Sequence, residues 1–157
     1  MEYFIDIAGL YERTYELVSR EAGIAYDDAG DSLYDGIIIG AADRPAVVRA
    51  IADAVSALVE RTRDICTVRD GYIREDEMGV LIEHPAALSF SVPDFDTDNE
   101  ALVAGEVSGY ISLSAAASWF AGHHPSKAEE YALRSQRAMD RAVTLLKTIK
   151  TPQRQWK

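Results

Sequence analysis

Residues 101–122 read ALVAGEVSGYISLSAAASWFAG, a run of 22 residues in which Glu106 is the one charge. A helix through this stretch is apolar or small on every side. Its length suffices for a membrane span, and Gly105 and Gly109 stand at small-xxx-small spacing. Ser108, Ser112, Ser114 and Ser118 dilute the hydrophobicity, and the entry at Pro93-Asp94-Phe95-Asp96 has no basic flank. A membrane is therefore not an expected partner. The pattern predicts a central helix enclosed on most sides, with Gly105, Ser108, Gly109, Ser112, Ala115 and Ala116 allowing close backbone approach while Leu102, Tyr110, Leu113 and Phe120 fill space. A single 157-residue bundle has little chain to enclose a helix fully. Association is expected to finish the burial, which places Gly105, Gly109 and Ser112 at a contact in a homo-oligomer or with a permanent protein partner.

Outward from this helix, cap signals mark its neighbours. Thr97-Asp98-Asn99-Glu100 and Ser126-Lys127-Ala128-Glu129 both have capping-box spacing. They open a third helix to about Ala121 and a fourth to about Lys150, joined by Gly122-His123-His124-Pro125. Asp43 with Pro45 in the first turn opens a second helix to about Ile65, with Val47, Ile51, Val55, Leu58 and Thr62 on one face. A first helix is predicted over about Glu2 to Glu21, where Phe4, Ile7, Tyr11, Tyr15 and Val18 recur at helical spacing. Residues 24–42 read as a turn followed by a packed connection.

Between the second and third helices the period changes. Val80-Leu81-Ile82 and Leu88-Ser89-Phe90-Ser91-Val92 flank Glu83-His84-Pro85-Ala86, which predicts a β-hairpin. One hairpin alone is marginal, so Leu88 and Phe90 pack on the helices or meet a neighbouring subunit. The predicted fold is mainly α: one domain over residues 1–157, four-helix bundle-like, with a β-hairpin inserted between helices two and three. Pro152 ends the last helix and leaves 152–157 as an extended tail. In that tail Trp156, between Arg154 and Lys157, has the composition of an anchor for an acidic surface.

The apolar share of 48% and charged share of 27% suit a globular chain. A lone cysteine, Cys66, excludes an internal disulfide and a zinc-type cysteine cluster, and fits a reducing compartment. The start, Met1-Glu2-Tyr3-Phe4-Ile5-Asp6, carries acid where a secretory signal needs a basic region, so export is not expected. The net charge of −10 is uneven: residues 126–157 carry +5 and residues 1–125 carry −15. An acidic body repels phosphate, which argues against specific nucleic-acid binding.

Candidate chemical sites are weak. Asp94-Phe95-Asp96-Thr97-Asp98 resembles the start of a calcium loop, but Asn99 stands where the glycine is needed and Gly105 where the bidentate glutamate is needed. Asp27, Asp28 and Asp31 beside Gly30 read as loop residues. His123 and His124 are adjacent and point apart, and His84 precedes a proline. No catalytic residue, cofactor or metal site is assigned.

The order of elements, two helices, a β insertion and two helices ending in a basic tail, resembles the small head-to-tail connector (adaptor) proteins of tailed bacteriophages. Ile24-Ala25-Tyr26 through Asp31-Ser32-Leu33-Tyr34-Asp35-Gly36-Ile37, with Asp43 opening a helix, is similar to uncharacterised prophage proteins of gut bacteria. Trp119-Phe120 before a loop and Glu129-Glu130-Tyr131 in the last helix fit the same pattern. The resemblance implies a non-enzymatic, ring-forming virion part that meets neighbouring virion proteins, located in the virion or, prophage-encoded, in the bacterial cytoplasm. Two other classes stay open. A small cytoplasmic helical binding or regulatory module would need an apolar pocket in the bundle. An enzyme would need Asp31 or Asp94 to converge with His84 or His124.

Overall fold

The computed structural model of the chain describes residues 1–24, 29–69, 72–75 and 81–148. Strand β1 (Glu2–Phe4) leads into helix α1 (Ile7–Ala22), followed by a short α2 (Tyr34–Ile37), a 3-10 turn at Ala41–Asp43 and α3 (Arg44–Arg61). Four strands come next: β2 (Cys66–Arg69), β3 (Tyr72–Glu75), β4 (Leu81–His84) and β5 (Ala87–Phe90). A 3-10 turn at Thr97–Asn99 then opens α4 (Glu100–His123), and α5 (Pro125–Leu146) closes the described chain. The protein is mainly helical, with a small antiparallel sheet.

The first helix begins later than its periodicity predicts. Residues 1–5 alternate instead: Tyr3 and Ile5 are buried while Glu2 and Phe4 are exposed, the pattern of an extended segment. Asp6 is the helix start signal, because its side chain accepts the Gly9 amide at 3.1 Å. Gly9 is small for this reason, since a Cβ there would lie 2.5 Å from the Asp6 carboxylate. The buried face of α1 is Ile7, Leu10, Thr14, Val18 and Ala22.

The second helix keeps the predicted core face, with Val47, Ile51, Val55, Leu58 and Thr62 all buried. It ends at Arg61, and Ile65 already serves the sheet by accepting the Ser91 amide at 2.7 Å. Asp43 does not cap it with its side chain; the carboxylate reaches back to the Gly40 amide at 2.8 Å. The predicted cap residues of the later helices shift as well. Asp96, not Thr97, accepts an amide, that of Asp98 at 3.2 Å. The last helix starts on Pro125, whose missing N–H costs nothing in a first turn, and Ser126 sits inside it. Helix α5 ends at Leu146 with Lys147 as its C-cap, short of the predicted Lys150, and residues 149–157, with the tail 152–157, lie outside the described residues.

The strand pairing corrects the predicted hairpin. β4 and β5 do not pair with each other: β4 pairs with β3, and β5 is the centre of an antiparallel sheet in the order β1-β5-β2. Its register sets Tyr3 opposite Leu88 and Phe4 opposite Ala87 on one side, and Val68 opposite Leu88 and Cys66 opposite Phe90 on the other. Leu88 and Phe90 gain their support from strands that the sequence places far away. Tyr3, Leu88 and Phe90 face inward and join the core with α1, α3, α4 and α5.

The central helix is enclosed by its own chain. Between Val103 and Phe120 the buried face includes Val107, Tyr110, Ile111, Ala115 and Ala116, against α5, α3 and α1. Phe120 and Tyr131 pack with ring centroids 5.0 Å apart across the α4–α5 turn. The exposed residues of α4 lie towards its ends, at Glu100, Ala101, Leu102 and Gly105 and again at Ser118, Ala121, Gly122 and His123.

Candidate functional site

The residues predicted at a subunit contact fall into three groups. Leu88, Phe90 and Ser112 are buried inside the chain, at 0%, 3% and 0% exposure. Gly109 is buried too, and Gly105 is exposed. Neither glycine closes an approach between backbones: a Cβ on Gly105 would meet nothing within 4 Å, and one on Gly109 would meet only the Arg13 guanidinium at 3.6 Å. Ser112, Ala115 and Ala116 are buried within the chain, so the middle of α4 is covered by its own neighbours, whereas Gly105 packs against nothing among the described residues. Arg154 and Trp156 lie outside the described residues.

Exposed apolar side chains occur instead at the edges of the sheet. Phe4 on β1 is 63% exposed and Val68 on β2 is 46% exposed, and these are the two edge strands. On the outer face Arg69 donates to Glu2 Oε1 at 2.7 Å across β5, and its guanidinium lies 5.8 Å from the centre of the Phe4 ring. Ala87, opposite both Phe4 and Arg69, is buried between them. Phe4 and Val68 escape sequence reasoning. Phe4 fits the helical period of the next residues, and the signal that separates it is the short alternation ending at Asp6.

A second feature is a cleft of about 210 Å³ between α3 and α4, lined by Ala46, Val47, Ala50, Ala115, Trp119 and His123 among others. Trp119 Nε1 donates to the Ile37 carbonyl at 2.6 Å, which ties the end of α2 to α4. His123 stacks on the Trp119 ring with centroids 4.0 Å apart, and its Nδ1 lies 2.7 Å from the Trp119 carbonyl. That carbonyl can only accept, so Nδ1 carries a proton, and in the neutral tautomer with that proton Nε2 is the acceptor.

Further polar contacts tie the helices to one another. At the α1–α5 corner Tyr131 Oη donates to Glu21 Oε1 at 3.0 Å, and Lys127 bridges Glu21 at 3.1 Å and Glu130 at 2.8 Å. Hydrogen bonds to Glu130 and Glu21 raise the Lys127 ammonium above its ordinary value, and Lys127 holds Glu130 below the usual carboxylate range. Burial raises the phenols of Tyr3, Tyr110 and Tyr131 and the thiol of half-buried Cys66. Tyr3 Oη lies 2.9 Å from Ser108 Oγ, which offsets part of its shift.

The candidate acidic sites are described only in part. Among the described residues there is no group of three His, Cys, Asp or Glu side chains placed to hold an ion. Asp31 is exposed, Asp27 and Asp28 lie outside the described residues, and Asp94 occupies a left-handed backbone position with φ 55° in the turn after Pro93. His124 Nδ1 lies 3.0 Å from Ser126 Oγ, a local contact at the helix start. No helix among the described residues is long and apolar enough to cross a membrane. The chain matches no protein-family profile, no curated protein sequence and no solved structure.

Proposed function

We propose that this chain is a non-enzymatic virion assembly component of a tailed phage or prophage, a head–tail connector or neck protein that works through protein–protein contacts. The observation that carries the reading is the open sheet: a closed helical core presents a strand at each edge, with Phe4 and Val68 exposed there. Edge strands with exposed apolar side chains are templates for another chain, and a lone soluble domain normally blunts them. The resemblance in element order supports the same reading. Its partners are then copies of itself, in a dimer or ring, and neighbouring virion proteins. The acidic body argues against a specific nucleic-acid role, and the location is the virion or the host cytoplasm before assembly.

Labelling tests this directly. An antibody raised against the chain and detected by electron microscopy should decorate purified particles at the head–tail junction. Particles that lack the chain altogether overturn the reading.

The α3–α4 cleft favours a second reading, a small binding module with an apolar pocket. Its lining of alanines, Val47, Trp119 and His123 suits a compact aromatic ligand with one hydrogen-bond donor for His123 Nε2.

A further inference from the structure

Among the described residues, strand β1 pairs through only half of its backbone groups. The Met1 carbonyl accepts the Phe90 amide at 2.8 Å, the Ile5 amide donates to Ala86 at 3.1 Å, and Tyr3 stands opposite Leu88 between them. In an antiparallel ladder alternate residues turn their N–H and C=O groups to opposite sides. Met1, Tyr3 and Ile5 therefore face β5, and the amides and carbonyls of Glu2 and Phe4 lie along the open edge.

We propose that this edge pairs with the same edge of a second copy, antiparallel about a twofold axis at Tyr3. The inference rests on the protein–protein reading above and names its first partner. Glu2 then stands opposite the partner subunit's Phe4, and Phe4 opposite the partner subunit's Glu2. Each pair exchanges two N–H···O=C bonds, and the two sheets join in the order β2-β5-β1-β1-β5-β2.

Three observations favour a second copy through this edge. The first is face parity. Glu2 and Phe4 lie on the outer face, whereas the outward groups of the other edge belong to Cys66 and Val68, opposite Phe90 and Leu88 on the inner face. Joining β1 to β2 of another copy would put the two helical layers on opposite sides of the sheet; joining β1 to β1 keeps both on one side. The second is charge. Each Glu2 is already held by Arg69 at 2.7 Å, so two like-charged edges meet as neutral pairs beside exposed Phe4 rings. The third is the cleft of about 210 Å³ beside β1, whose lining includes both Asp6 and Arg13. Charge of both signs thus stands beside the edge that the second copy meets.

The test uses the full chain. Light scattering from low-micromolar to near-millimolar protein should show the mass rising from 17.3 kDa towards twice that value. Amide exchange should show Phe4 fast at the dilute end and protected at the concentrated end. Phe4→Pro deletes an outward amide that no intrachain ladder bond uses, and proline is tolerated on an edge strand. This variant should keep the helical spectrum and stay monomeric. A wild-type chain that remains monomeric at every concentration overturns the pairing, and the protein–protein reading is then decided by particle labelling alone. A dimer in which the wild-type Phe4 amide stays fast overturns it as well, and leaves the protein–protein reading standing on another surface. The exchange measurement on wild type decides the matter even if Phe4→Pro fails to fold.

Discussion

Tyr131 Oη donates to Glu21 Oε1 at 3.0 Å, joining the last turn of α1 to the first turns of α5 across 110 residues of sequence. Glu21 is held there from two sides, because Lys127 Nζ also approaches its other oxygen at 3.1 Å. The Glu21 side chain is only 12% exposed, so solvent screens this corner less than the surface pairs at Arg61 and Arg141.

Tyr131→Phe removes the phenol donor and keeps the ring against Phe120. A hydrogen bond to a charged acceptor contributes about 1.5–3 kcal/mol, and Lys127 still serves Glu21 in the variant, so a loss of about 1–2 kcal/mol is expected. Thermal unfolding should show Tm lower by roughly 2–8 °C. Combined with Glu21→Gln, the two losses should not add; additive losses would mean the two side chains are not energetically coupled.

Gly105→Ala should stabilise the protein. The position is exposed and inside a 24-residue helix, and an added Cβ meets nothing within 4 Å. Replacing a helical glycine by alanine gains about 0.5–1 kcal/mol, which denaturant unfolding resolves. An assembly contact at Gly105 would separate stability from association: the variant would be more stable yet associate less. Unchanged association places that contact elsewhere.

What the sequence discloses follows from how local each signal is. The core face of α3 and the all-round small and apolar character of α4 are written in their own residues, and both survive in the structure. Strand β1 is not legible in the same way. Three residues cannot establish a period of two, and Phe4-Ile7-Tyr11 happens to continue the helical one. The pairing of β5 is less legible still, because Leu88 meets Tyr3 and Val68, and nothing near residue 88 specifies either partner. The exposed Phe4 edge is a consequence of that long-range pairing. Trp119 is visible as a large side chain, but its bond to the Ile37 carbonyl depends on a connection whose residues 24–42 carry no clear period.

Ser112 Oγ is buried with no hydrogen-bond partner among the described residues, so its desolvation is uncompensated. Ser112→Ala removes the orphaned hydroxyl and leaves a void no larger than that group. Stability should be unchanged or higher by up to about 1 kcal/mol, read from the denaturation midpoint. Ser112→Arg should instead prevent folding, since it forces a charged guanidinium into a fully buried position. A folded, soluble Arg variant with wild-type Tm would mean that this face of α4 opens to solvent.

Alkaline unfolding should be driven by phenols. Burial raises Tyr3, Tyr110 and Tyr131 above 10.0, so in the folded state they keep their protons where unfolded tyrosine loses them. The unfolded chain then binds fewer protons than the folded one, and stability falls as pH rises. The contribution of neutral phenols is complete below about pH 10 and is lost as the pH passes up through the folded values. Lys127 acts in the same direction, because its raised ammonium also stabilises the fold only while protonated. The near-ultraviolet absorbance of phenolate should therefore rise in two stages: an early one for exposed tyrosines, and a late one that coincides with loss of the helical far-ultraviolet signal. Tyr131→Phe should shrink the late stage and leave the early one intact. A single smooth titration that finishes before the helices melt would show that these rings are open to solvent.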